Sequence, residues 1–180
     1  VEAVLRGPYL TQGPAVPAFE KAVSAGVSAR HAVAVNSATS ALHLACLALG
    51  LSPGDWLWTT PITFVASANC GRYCGAQVDF VDINPETGLM SVEALQHKLG
   101  LASRAGTLPK VLVPVHLCGT SCNMAAIGAL AKSYGVAVVE DASHAIGGHY
   151  MSEPVGNCHY SAITVFSFHP VKIITTAEGG

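Results

Sequence analysis

Short valine-rich runs recur along this chain, and longer segments of helical period separate them. The runs are 32–36 (AVAVN), 56–60 (WLWTT), 77–83 (QVDFVDI), 110–116 (KVLVPVH), 136–140 (VAVVE) and 162–167 (AITVFS). Several are apolar at consecutive positions instead of alternating, so both faces of those strands must be covered. That requirement suits a parallel sheet with helices above and below it. The helical period predicts the covering helices at 14–26, 39–50, 63–74, 91–99 and 123–134, with a loop over 100–109. The turn-forming stretches SPGD at 52–55 and NPETG at 84–88 fall between these elements. The expected fold class is α/β: three layers, α/β/α, around a mostly parallel sheet. Composition agrees, since apolar residues make up 51% of the chain and charged residues only 11%, less than half the usual charged share.

The same figures narrow the function. At 180 residues the chain suits one domain or a large piece of one. A formal charge of −2 offers no attraction to nucleic acid or to an anionic membrane surface. No apolar run reaches the ~18 residues of a spanning helix, and the N-terminal VEAVLRGPYLTQGP lacks the pattern of a signal peptide. The expected location is cytoplasmic. Cysteines stand at 46, 70, 74, 118, 122 and 158. The pairs Cys70/Cys74 and Cys118/Cys122 have a permissible zinc spacing, but no further ligands lie close by in sequence. Small or apolar neighbours favour reduced core thiols and no metal.

In open α/β sheets, ligands bind beyond the carboxyl ends of the strands, so the residues that follow each run deserve the closest reading. After the first comes NSATSALHLACLALG, where Thr39 and Ser40 stand at a helix start. Free N–H groups and the positive dipole end favour a phosphate there, although ordinary N-capping explains the same residues. After the second comes TPITFVASANC, whose Phe64 either covers a flat ring or fills the core. After the fifth comes EDASHAIGG. Asp141 there is a carboxylate against an apolar run, either paired with a cation or capping a helix, and His144 follows it. After the last comes FSFHPVKIITTAEGG, with Ser167 and Lys172. A poorly solvated lysine amine is a good nucleophile for Schiff-base chemistry, while a snorkelling surface lysine is the plainer alternative. Together these residues are the equipment for pyridoxal 5′-phosphate (PLP): a phosphate seat, a ring cover, a partner for the pyridine nitrogen and an amine for the aldehyde.

The order of the blocks LRGPYLTQGPAVPAFE, AVNSATSALHLA, GDWLWTTPITFVASANC, GAQVDFVDINPETG, VLVPVHLCGTSCNM, VVEDASHAIGG and FSFHPVKIITTAEGG resembles the DegT/DnrJ/EryC1/StrS family of fold-type-I PLP-dependent sugar aminotransferases. The likeness spans essentially the whole chain. It implies that Lys172 is the Schiff-base lysine and proton shuttle, and that Asp141 pairs with the pyridine nitrogen. Thr39, Ser40 and Ser167 would hold the phosphate, Phe64 would stack on the ring, and His144 would lie near the ring hydroxyl. The implied reaction moves an amino group from glutamate to C4 of a nucleotide-linked 4-keto-6-deoxy sugar, as in pseudaminic acid biosynthesis. The implied assembly is a homodimer with shared active sites. Residues 1–180 would then be an incomplete PLP-binding large domain without the family's small C-terminal domain. A non-catalytic dimerising fragment and a transaminase for another nucleotide sugar remain alternatives. One branch of the family carries histidine at the lysine position and performs 3-dehydration; lysine here favours transamination. Ala177 stands where the family usually has glycine.

Overall fold

A computed structural model describes all residues, Val1–Gly180. In chain order the elements are α1 (Glu2–Leu5), α2 (Ala15–Gly26), α3 (Ala38–Ala48), β1 (Trp56–Thr59), α4 (Ala66–Tyr73), β2 (Gln77–Phe80) and α5 (Val92–Ala105). There follow β3 (Val111–Val113), α6 (Met124–Ser133), β4 (Ala137–Asp141), β5 (His149–Tyr150), β6 (Glu153–Pro154) and β7 (Ile163–Val165). Capping residues set several boundaries. Ser37, Ser91 and Asn123 accept the amides of Ser40, Ala94 and Ala126 at the starts of α3, α5 and α6. No helix is long and apolar enough to cross a membrane.

The main sheet has the order β2-β1-β3-β4-β7, and every pairing in it is parallel. Both of its faces are buried. Leu57, Val111, Val113 and Val139 pack with Leu42, Cys46 and Cys70 from α3 and α4. Their strand neighbours Trp58, Leu112 and Val138 point the other way, into Leu95, Leu99 and Ile127 of α5 and α6. Successive side chains of a strand face opposite sides, which is why these runs had to be apolar throughout. Each fully buried Leu, Ile or Val contributes about 1.5–3 kcal/mol relative to exposure, so the core is built from both faces at once.

The strand order also places a ligand site. From β1 the chain moves to β2 at one edge; it then crosses back over β1 to β3 and continues outward to β4 and β7. The direction reverses between β1 and β3. At such a reversal the loops leaving adjacent strands part to opposite sides and leave a crevice at the carboxyl ends.

The structure corrects three sequence expectations. Residues 32–36 form no strand. Val35 exchanges two backbone hydrogen bonds with Gly180, at 2.9 and 3.1 Å, and one residue pair makes no ladder. The expected loop 100–109 is half helix, because α5 continues to Ala105 and ends at Gly106 with φ 71°. Gly100 meets nothing within 4 Å, so its cost to the helix is only the ~1 kcal/mol of a mid-helix glycine, and buried Ala102 holds the extra turn down. The third is the hairpin of β5 and β6, which was not foreseen. Its turn residues, Met151 and Ser152, have φ 48° and 69° without the Asn-Gly or Asp-Gly that normally announces such a turn.

Candidate active site

A cavity of about 310 Å³ opens at the carboxyl ends of the sheet, against the start of α3. This is near the lower end of the range for small-molecule sites. Thr39, Phe64, Asp141, His144, Ser167 and Lys172 all line it, although they come from four separate stretches of sequence. Ser40 does not line it. The Ser40 amide is taken by Ser37 Oγ at 3.2 Å, and its hydroxyl meets the same oxygen at 3.2 Å. Ordinary capping therefore accounts for Ser40. The amides of Ala38 and Thr39, just before it, have no acceptor in the chain. They are the free donors that an anion at this helix start would meet.

Asp141 is the last residue of β4 and is 4% exposed. Ser143 Oγ donates to its Oδ1 at 2.6 Å, supported by the Ser143 amide at 3.2 Å. Ser67 Oγ donates to Oδ2 at 2.6 Å. The helix-capping alternative fails, since the amide that Asp141 receives belongs to a tight Asx turn and not to a helix start. No basic side chain forms an ion pair with it. A buried carboxylate facing a cavity, held by hydroxyls and lacking a cation, suits a ligand that brings its own N–H.

Lys172 follows β7 in an irregular segment and is half-buried. Its amine makes no hydrogen bond and no ion pair within the chain, unlike Lys98 and Lys110. His144 lies close enough to feel both charges. Its pKa is lowered, first by burial and then by the Lys172 ammonium, against an opposing effect of Asp141. The Cys118 amide donates to His144 Nδ1 at 3.3 Å, which leaves Nε2 free. Phe64 is not a core residue: it is 70% exposed, yet it lines the cavity.

Several cavity-wall groups escaped the sequence reading. His116 is fully buried at the wall. Its Nδ1 accepts the Cys122 amide at 3.1 Å, which places the ring proton on Nε2, 2.7 Å from Glu140 Oε2. Thr63, Ser143, His169 and Glu178 also line the cavity. Ser143 had a legible signal, because Asp-x-Ser after a strand marks a turn. Ser67 had none, since its partner lies 74 residues away. The thiol expectation needs amendment as well. Cys46, Cys70, Cys74 and Cys122 are buried, but Cys118 is exposed and Cys158 half-buried. No three His, Cys, Asp or Glu side chains converge as metal ligands.

Comparison with known proteins bears directly on this arrangement. The sequence matches the DegT/DnrJ/EryC1/StrS aminotransferase family over residues 1–180. The chain belongs to that family. Among its relatives is the UDP-4-amino-4,6-dideoxy-N-acetyl-β-L-altrosamine transaminase of Campylobacter jejuni, 42% identical over 176 residues, or 98% of this chain and 45% of the relative. Helicobacter pylori PseC, an aminotransferase involved in pseudaminic acid biosynthesis, superposes with a TM-score of 0.87 at 35% identity, covering 99% of this chain and 46% of PseC. A Streptococcus pneumoniae protein assigned as a sugar aminotransferase, in its PLP form, superposes with a TM-score of 0.88 at 30% identity, covering 99% of this chain and 47% of that one. The chain thus spans under half the length of the DegT/DnrJ/EryC1/StrS relatives it matches. The five parallel strands and the cavity at their ends fall within the residues matched to the family.

Proposed function

We propose that residues 1–180 are the cofactor-binding large-domain portion of a PLP-dependent sugar-nucleotide aminotransferase. The amino donor is glutamate, and the acceptor is C4 of a 4-keto-6-deoxy sugar nucleotide of the pseudaminic acid type. One observation carries this reading: the unpaired amine of Lys172 and the hydroxyl-held carboxylate of Asp141 line the same cavity beside two free amides at a helix start. The relatives from Campylobacter jejuni and Helicobacter pylori support the choice of sugar.

The residues present fit PLP. Ala38 and Thr39 offer backbone N–H groups to a phosphate, and Ser167 lines the same cavity. Asp141 offers lone pairs to a pyridine N–H, and Lys172 offers an amine to an aldehyde. Bound there, PLP supplies a carbonyl that condenses with amines and a ring that withdraws electrons from the adjacent carbon. Asp141 would hold a proton on the ring nitrogen through its carboxylate oxygens. Lys172 Nζ would accept the proton of the amino-acid α-carbon and be the group that returns it. Phe64, at the mouth, excludes water from the ring face once a ligand fills the space beneath it. His144, with Nδ1 occupied by the Cys118 amide, would have Nε2 to offer to the ring hydroxyl.

The test begins with PLP and borohydride. Reduction should fix the cofactor to the protein with the added mass on Lys172, and Lys172→Ala should lose that label. A label that persists in Lys172→Ala, or settles on another lysine, would sink the assignment. Glutamate should then convert the bound cofactor to its amine form and release 2-oxoglutarate.

A further inference from the structure

We propose that Ser67 is a positioning residue for Asp141, acting through a two-hydroxyl chain that begins at Thr63. The proposal rests on the PLP reading above. Thr63 and Asp141 both line the cavity, whereas Ser67 is fully buried and does not. Thr63 Oγ1 lies 2.8 Å from Ser67 Oγ, and Ser67 Oγ lies 2.6 Å from Asp141 Oδ2. The chain thus links two cavity-lining side chains through one buried hydroxyl.

The polarity of this chain follows from counting protons. A serine hydroxyl has one hydrogen to donate. Ser67 has three acceptors within reach, Asp141 Oδ2 at 2.6 Å, Thr63 Oγ1 at 2.8 Å and the Phe64 carbonyl at 3.2 Å, and the carboxylate, charged and nearest, takes the hydrogen. The plain explanation for a helical serine is the bond to the carbonyl one turn back. The distances decide against it, because 2.6 Å is typical of a charge-assisted O–H···O⁻ bond and 3.2 Å is long for a hydroxyl. With its hydrogen committed to Asp141, Ser67 accepts from Thr63.

Ser67 differs in kind from Ser143, the other hydroxyl on Asp141. Ser143 is two residues away in the same turn, so it moves with the carboxylate and cannot fix it relative to the fold. Ser67 belongs to α4, which Gly71 allows to sit so close that an added Cβ would lie 3.0 Å from Leu57 Cβ. Ser67 is therefore the donor that ties the carboxylate to the body of the sheet and leaves its remaining lone pairs facing the cavity. Without it, Asp141 can turn about its side-chain bonds, and a ring nitrogen loses its aligned partner.

The test loads the protein with PLP labelled with ¹⁵N at the ring nitrogen. In the parent protein the label should be fixed at Lys172 and its resonance should be that of a protonated pyridine. Ser67→Ala should still be labelled at Lys172, but its resonance should move toward the unprotonated position. Its PLP dissociation constant should rise roughly tenfold, the low end for losing a hydrogen bond to a charged group. Ser67→Cys retains the volume and only a weak donor, and should fall between the two; it carries the test if Ser67→Ala fails to fold. Since Ser67 does not line the cavity, neither change removes a direct contact with the cofactor. A folded variant with an unmoved resonance and an affinity within about twofold of the parent, less than one hydrogen bond is worth, overturns the role of Ser67 and leaves the PLP reading intact. A parent protein that takes no label at Lys172 overturns both.

Discussion

Ala177 holds φ at 70° in the segment after Lys172, a conformation in which a Cβ crowds the following carbonyl. The family likeness implies glycine here, and the backbone supplies a reason. Ala177→Gly should stabilise the fold by about 1 kcal/mol, the left-handed penalty less the extra freedom of an unfolded glycine. Urea denaturation measures this directly, and a destabilised variant would contradict the strain. His144 yields a pH prediction. Burial and the Lys172 ammonium lower its pKa, with Asp141 opposing, so the folded state holds its proton less tightly than the unfolded chain does. Its contribution to stability is therefore complete above about pH 6.5 and is lost as pH falls through the folded value. Lys172→Met removes one of the two causes and should move the His144 midpoint upward in an NMR titration. An unmoved midpoint would show that the amine does not face the ring. At this scale the candidate residues were largely legible, because chemistry follows from residue type. The exception is Ser40, which the family likeness assigns to the phosphate and whose amide is spent on the capping that its sequence equally allows.

Among the elements, α4 ties the core to the site. Gly71 lets it approach β1 and β2 so closely that an added Cβ would meet Leu57 Cβ and Val78 Cγ2 at 3.0 Å each. Ser67, one turn earlier, reaches Asp141 from the same helix. Gly71→Val should cost about 2–3 kcal/mol, at the upper end for overpacking, and by lifting the helix it should also weaken PLP binding. Thermal unfolding reads the first effect and cofactor titration the second. A variant with lowered stability but unchanged PLP affinity would separate the helix from the site. The five sheet strands were read from the sequence because apolar runs of that length have few other places to go. The run 32–36 has the same composition, but a strand needs a ladder and only Gly180 lies across from it. Helix α5 runs past its expected end at residue 99 to Ala105, where Gly106 supplies the left-handed cap.

Over the whole molecule, exposed apolar side chains stand at the cavity and just beyond it in sequence. Phe64 is 70% exposed, Val171 78% and Ile173 67%. Phe64 and Val171 line the same cavity, so the apolar rim and the site are continuous. A second copy packed over this rim would bury it and narrow the opening, in keeping with the homodimer that the family likeness implies. Sedimentation should show a dimer at micromolar concentration, and the double change Val171→Asp with Ile173→Asp should shift it to monomer while secondary structure is retained. A parent protein that stays monomeric up to roughly 100 µM, weaker than a stable interface of standard size provides, would remove this face from consideration.

What the sequence determined alone is the layering and the inventory of groups. Unbroken apolar runs force a sheet covered on both faces, and reactive side chains can be expected only where those runs stop. Both properties are local, being set by periodicity and residue type. The tertiary structure decided which of those groups meet. Strand order puts the reversal between β1 and β3, and so gathers Thr39, Phe64, Asp141 and Lys172 around one cavity. It also spends one expected amide on a cap and recruits a buried serine that no local pattern marks. Contacts between residues tens of positions apart depend on how helices pack across the sheet, and no short window of sequence contains that.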